Sequence, residues 1–345
     1  MLPVNKKDLL HTAEAGLSRY VAIHNMETTT NTILGRVTKD GNKVITSMSC
    51  GRNSTCVFGS PASGKTWCYA LPYILQAARR KESMIITDGT GELFEKSSGY
   101  LRSLGYSVRV LNLSDPEKTQ GLDFINEPFP VIFTSKEEAI LTAPGNKLCA
   151  YYCVLDSKDA AQNELAASFI SLLSSADVFN QSGSVSKKIK INFILDEFCS
   201  IGKIPNITKK LKYLSSIGDS ISILTMNIDQ IHLYYPDEAD DILDMCDTIV
   251  CLDIFDTKTM RYIADRWYKR QKESHQAISP DGSKSLFNLT DDIHSLRKDK
   301  CLILSPENNA CTAYKFPVSI HPDFFRLHKT PINYSRTDEK EEIEE

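Results

Sequence analysis

Beyond the first 50 residues or so, short apolar runs alternate with stretches of helical period. Ser54–Phe58 reads as a strand, followed by a Gly-rich turn and a helix through Arg80. Met84–Thr87 reads as a second strand, Glu92–Leu104 as a helix and Val108–Leu111 as a third strand. Leu148–Leu155 has the length of a buried strand, and Asp159–Ala176 that of a helix. Ile189–Leu195, Ile221–Leu224 and Ile249–Leu252 are further strands, with helices over Ile207–Ser216, Glu238–Met245 and Lys258–Lys269. Strands that are apolar throughout must be covered on both faces, and the intervening helices supply that cover. The pattern predicts an α/β fold: a doubly wound, mainly parallel sheet with helices on both faces.

Several segments break this rhythm. Residues 1–50 are polar and weakly patterned, which predicts an N-terminal segment partly packed on the core. The main domain then covers residues 51–330. Within it Gln120–Asn146, with three prolines and no clear period, reads as a short link. Gln271–Lys284 is polar and carries Pro280-Asp281-Gly282, which predicts a mobile loop. Residues 331–345 end in DEKEEIEE (Asp338–Glu345), an acidic tail expected to be disordered.

Composition narrows the class. The formal net charge is -4 over 345 residues, so nucleic-acid contact would need a local basic patch or an assembled ring. The ten cysteines form no C-x-x-C pair, and several lie in apolar runs, the pattern of reduced core thiols in a cytosolic protein. No stretch reaches the roughly 18 consecutive apolar residues of a membrane span, and Met1–Thr12 lacks the apolar core of a signal peptide. These observations predict a soluble, cytoplasmic chain. The seven histidines show no ligand spacing and read as surface or structural residues.

Two motifs carry chemistry. Gly59-Ser60-Pro61-Ala62-Ser63-Gly64-Lys65-Thr66 fits G-x-x-x-x-G-K-[ST] between an apolar strand and a helix. Glycines there let backbone N–H groups turn towards phosphate oxygens at a helix N-terminus. Lys65 would reach the β- and γ-phosphates of ATP, and Thr66 would place its hydroxyl on Mg²⁺. The second motif, Ile191-Asn192-Phe193-Ile194-Leu195-Asp196-Glu197, puts two carboxylates at the C-terminal tip of a buried strand, where open α/β sheets gather ligands. Asp196 would hold Mg²⁺ through water, and Glu197 would orient the attacking water. The combination is that of a RecA-like P-loop ATPase. In such enzymes the strand after the acidic one often ends in a polar residue that senses the γ-phosphate, and Asn227 is the nearest candidate. Asp88-Gly89-Thr90-Gly91-Glu92 also ends a strand on this edge, and reads equally as a turn capping the next helix.

In this order the motifs resemble the type IV coupling proteins (VirD4/TraG-like), hexameric ATPases that deliver DNA to conjugative secretion channels. The resemblance rests on GKTWCYALPYILQ with its internal proline, on MIITDGTGELFEKSSGYLRSLGYSVRVLNLSDPE, on INFILDEFCSIGKIPNITKKLKYLSSIGDSISILTMNIDQI, on CDTIVCLDIFDTKTMRYIADRW and on the closing LTDDIHSLRKDKCLILSPENNACTAYKFPVSIHPDFF. It covers about residues 50 to 326. The resemblance implies a homo-oligomer, a hexamer when active, with single-stranded DNA, relaxosome or relaxase proteins and channel components as partners. It also implies work at the cytoplasmic face of the cell membrane, reached through an N-terminal anchor or a partner, and an arginine supplied by the neighbouring subunit. Arg261 and Arg266 are candidates for that arginine.

Three departures stand out. No membrane anchor is seen, and only Gln120–Asn146 occupies the place of the family's large all-α domain. The family's sensor glutamine aligns with Met226, which leaves Asn227 or Gln230 for that task, and its lysine in the second-strand turn aligns with Thr90. The sequence therefore supports a DNA-coupling ATPase and leaves open a nucleotide-binding receptor or adaptor with slow or no turnover, or a general DNA translocase.

Overall fold

The computed structural model describes residues 20–22, 31–37, 43–46, 54–119, 147–156, 163–174, 189–273, 298–305 and 311–327. The strands are β1 (Tyr20–Ala22), β2 (Ile33–Val37), β3 (Lys43–Thr46), β4 (Ser54–Gly59), β5 (Ser83–Asp88), β6 (Ser107–Asn112), β7 (Cys149–Val154), β8 (Ile191–Leu195), β9 (Ser220–Thr225), β10 (Thr248–Asp253), β11 (Lys300–Leu304) and β12 (Cys311–Tyr314). The helices are α1 (Leu71–Arg79), α2 (Glu92–Ser103), α3 (Asn163–Leu173), α4 (Ile207–Ser216), α5 (Ile228–Tyr234), α6 (Ala239–Asp244), α7 (Thr257–Glu273) and α8 (Phe324–Leu327).

Among the described residues all the strands join one sheet, in the order β1-β3-β2-β12-β11-β10-β4-β9-β8-β5-β7-β6. From β10 to β6 every neighbouring pair is parallel. From β10 to β1 every pair is antiparallel. The expected parallel sheet is therefore present, with an antiparallel wing on one side.

Side chains alternate across the sheet and both faces are buried. Cys56 and Phe58 of β4 point into one core and Val57 into the other. Phe193 and Ile194 of β8 divide in the same way. Each such side chain contributes about 1.5–3 kcal/mol by leaving water. This is why several parallel strands, such as β5 and β7, are largely apolar on both faces.

Within residues 1–50, β1, β2 and β3 add to the sheet, and Ile33 and Leu34 are buried. One expectation is corrected. The loop expected over Gln271–Lys284 starts later, since α7 continues to Glu273. Its last turns (Lys269 to Glu273) lack apolar period but consist of strong helix formers. The link over 120–146, residues 274–284 of that loop and the acidic tail lie outside the described residues.

A candidate nucleotide site at the C-terminal ends of β4 and β8

β4 lies inside the parallel region, between β10 and β9, and β8 follows β9. Because these strands are parallel, their C-terminal ends share one edge, and both sequence motifs sit there. The first turn of the loop after β4 is tied down by its neighbour, with Ser60 N donating to Asp253 O of β10 at 3.0 Å. Gly64 adopts φ 97°, a left-handed conformation that lets the loop turn into the helix.

That helix starts wide. Residues Lys65–Ala70 form a π-type turn, with Leu71 N donating to Thr66 O, before α1 continues as a regular helix. Pro72 accounts for the widening. It has no N–H to offer the carbonyl of Cys68, and in a regular turn its ring would collide with that carbonyl.

Lys65 is buried at 8% exposure, and its Nζ donates to Gly59 O at 2.7 Å. The same ammonium lies 3.9 Å from Glu197 Oε1, which joins the β4 and β8 motifs. Glu197 follows β8 with φ 50°, and Ala62 in the loop has φ 62°; both are non-glycine residues in left-handed backbone. Such conformations cost about 1–3 kcal/mol and gather at functional turns.

Asp196 is buried, and its Oδ1 has no hydrogen-bond partner. Burial, reinforced by the charges of Glu197 and Asp88 and opposed by Lys65, pushes its carboxyl up to about 7. An acid in that state gains from a cation placed against it. Among the described residues no group of three or more His, Cys, Asp or Glu side chains could hold a metal unaided. The donor set instead suits Mg²⁺, which keeps waters and takes one or two protein ligands plus phosphates. Thr66 is half-buried at the start of the helix, and it and Asp196 are the residues that could hold such an ion.

The turn after β5 has a mainly structural role. Asp88 Oδ2 accepts from Phe94 N at 2.8 Å, and Oδ1 accepts from Gly91 N at 2.9 Å and Thr90 N at 3.3 Å, so the carboxylate caps α2. Burial nevertheless raises Asp88 to about 6. The same turn touches the site through Gly89: a Cβ there would fall 2.7 Å from Glu197 Cγ. That close approach was not legible in the local sequence, because the two residues are adjacent only through the β5–β8 pairing.

Of the sensor candidates, Asn227 caps α5, its Oδ1 accepting from Gln230 N at 3.0 Å. Gln230 turns back on the strand end, its Oε1 accepting from Thr225 Oγ1 at 3.0 Å and Met226 N at 3.2 Å. Of the two arginines, Arg266 is committed within its own subunit. It donates to Leu243 O at 2.9 Å, Cys246 O at 2.7 Å and Tyr262 OH at 2.6 Å, stitching α7 to the end of α6. Arg261 is exposed on α7.

Comparison with known proteins agrees with this geometry. A family model described as "Type IV secretory system Conjugative DNA transfer" matches residues 18–142, which include the loop after β4. A second, described as "TraM recognition site of TraD and TraG", matches residues 190–304, which include Asp196 and Glu197. No curated protein matches. Among solved structures, the bacterial conjugative coupling protein TrwBdeltaN70 in unbound form superposes with a TM-score of 0.54 at 12% identity, over 86% of this chain and 92% of that one. The plasmid coupling protein TrwB with ADP and Mg²⁺ gives 0.55 at 12% identity, over 86% and 93%. TrwB with the ATP analogue ADPNP gives 0.52 at 11% identity, over 86% and 92%. At these identities the structures establish a shared α/β RecA-like fold.

Proposed function

We propose that this chain, which belongs to the TraG/VirD4-type coupling proteins of conjugative DNA transfer, binds ATP with Mg²⁺ and hydrolyses it to move single-stranded DNA or a relaxase–DNA conjugate towards a secretion channel. The observation that carries the reading is the junction of the two motifs: Lys65 Nζ 3.9 Å from Glu197 Oε1, beside the unpartnered Oδ1 of Asp196.

Backbone N–H groups of the loop, other than those of Ser60 and Ser63, which donate to Asp253 O and Ser60 O, cradle the phosphates, and Lys65 places a point charge on the β- and γ-phosphates. Thr66 and Asp196 would hold Mg²⁺, which when bound would offset charge on the phosphate oxygens. Glu197, with its carboxylate half-exposed, orients the water that attacks the γ-phosphorus and accepts its proton. Asn227 and Gln230 hold the strand end in shape. Arg261, exposed on α7, is the better placed of the two arginines to act on a neighbouring subunit. A homo-oligomeric ring, with a hexamer as its active form, supplies that neighbour. Residues 190–304 are the stretch through which a relaxosome protein would be engaged, given the description of the family model that matches them. No helix among the described residues is long and apolar enough to cross a membrane. Work at the cytoplasmic face of the membrane is part of this proposal.

The test is steady-state ATPase activity of the assembled protein with and without single-stranded DNA. Turnover stimulated by DNA, lost in Lys65→Ala, and lost in Glu197→Gln with nucleotide binding kept, is the expected result. One observation favours a second reading, a nucleotide-binding receptor with slow turnover: Met226 occupies the sensor position, and the oxygens of Asn227 and Gln230 are bound to backbone. Binding of Mg-ATP by a formed ring without turnover would select that reading.

A further inference from the structure

A second lysine grips the phosphate loop from the antiparallel wing. Lys315 follows β12, and its backbone is pinned on both sides, with its N–H donating to Asp299 O at 2.8 Å and its carbonyl accepting from Arg36 Nε at 3.1 Å. Its side chain is buried at 8% exposure and donates from Nζ to Ser63 O, inside the loop, at 2.8 Å. Lys65 holds Gly59 O at the other end of the same loop. The loop is thus suspended between two ammonium groups, one from its own helix and one from a strand about 250 residues away in sequence.

Lys315 is oddly provided for. Among the described residues no carboxylate comes within 4.0 Å of its Nζ, and a single neutral carbonyl accepts from it. A second cation, Arg36, is tied to the Lys315 backbone through its Nε. Both act on the thiol of Cys68, which burial raises and which Lys315 and Arg36 pull back. Beside them the hydroxyl of Ser63 is buried without a hydrogen-bond partner. A buried ammonium with one neutral acceptor is costly to maintain unless an anion comes to it. Through its contact with Ser63 O, Lys315 stands against the loop where the nucleotide reading puts phosphates.

We propose that Lys315 is a positioning residue for the nucleotide: it fixes the Ser63 carbonyl, so that the loop keeps its cradle shape, and it supplies positive charge whose counter-ion is the polyphosphate of the bound nucleotide. The inference rests on the nucleotide reading above and extends it to the antiparallel wing.

Calorimetric titration of Mg-ADP into the full-length wild type, Lys315→Met, Lys315→Gln and Lys315→Arg, at low and high salt, tests it. Lys315→Met is expected to weaken binding about tenfold or more, while Lys315→Arg, which keeps the charge, stays within about threefold. The wild-type affinity should fall with salt more steeply than that of Lys315→Met. Lys315→Gln keeps a donor for Ser63 O but no charge, so it should share the flattened salt dependence, and it carries the test if Lys315→Met does not fold. Wild-type affinity in Lys315→Met overturns the proposal. So does equal weakening in Met and Arg variants with an unchanged salt slope, since that is the mark of a purely steric prop. A wild type that fails to bind Mg-ADP at all overturns the nucleotide reading itself, a separate outcome.

Discussion

Replacing Gly89 with alanine probes the placement of Glu197 without touching Glu197. The added Cβ would stand 2.7 Å from Glu197 Cγ and 3.3 Å from its Cβ. Carbon atoms rest at about 3.5–4.0 Å, so the glutamate must retreat by about 0.8 Å or more. Its backbone cannot follow easily. It sits at φ 50°, and its carbonyl is held by Ser200 N at 2.7 Å. The retreat therefore falls on the side chain and, in the role proposed for Glu197, would carry the carboxylate off its line to the attacking water. Displacements near 1 Å cost on the order of 10²-fold in rate. Gly89→Ala should accordingly lower kcat about 10- to 100-fold, or roughly 1.4–2.7 kcal/mol of barrier. KM for Mg-ATP should change little, because the phosphate loop is untouched. The assay is coupled steady-state ATPase turnover on the assembled protein. In a Glu197→Gln background the alanine should add no further loss, since both changes act through one carboxylate. A kcat within twofold of wild type, or an additive loss in the double variant, would refute the reasoning.

Two further predictions follow from the geometry. Asn227→Ala should cost about 1 kcal/mol of stability, as loss of an N-cap does, read as a shift of the urea midpoint at constant slope; a hundredfold loss of kcat at unchanged stability would instead make Asn227 a phosphate sensor. His321 is held neutral because burial first, and the charge of Arg79 second, push it down to about 4, against the opposing pull of Asp323. Its contribution to stability is complete above the unfolded value of 6.5 and is lost as pH falls from there towards 4. The full loss amounts to about 3 kcal/mol, of which about 2 kcal/mol is reached by pH 5, so unfolding midpoints measured at pH 7 and pH 5 should diverge in wild type and converge in His321→Asn.

Much of the parallel half was legible in the sequence because it is locally determined. Ile207–Ser216 is a helix over the residues its period indicates, and β4 and β8 are mainly apolar, buried runs that lead straight into the two motifs. The antiparallel wing was not, for a physical reason. Ile33–Val37 is interrupted by Gly35 and Arg36, and it becomes a strand by pairing with β12 and β3 rather than by its own pattern. Lys315 was missed for the same cause. No signal near Lys315 or near Ser63 announces that the two will meet; only the strand order does. Asn227 shows how one signal serves two roles: a polar residue at the end of a strand can face a phosphate or begin a helix, and Asn is among the best residues for the latter, as its cap on α5 shows.

One consequence of the strand order concerns exchange of parts between lineages. β6 lies at the rim of the sheet with β7 beside it, and β5 separates that pair from β8. The chain between β6 and β7 therefore branches off at the rim. Material gained or lost there, from a short tether to a whole folded module, leaves intact the strand pairings beneath Lys65, Asp196 and Glu197. Such a layout lets an attachment at the rim be exchanged while the candidate site stays in register.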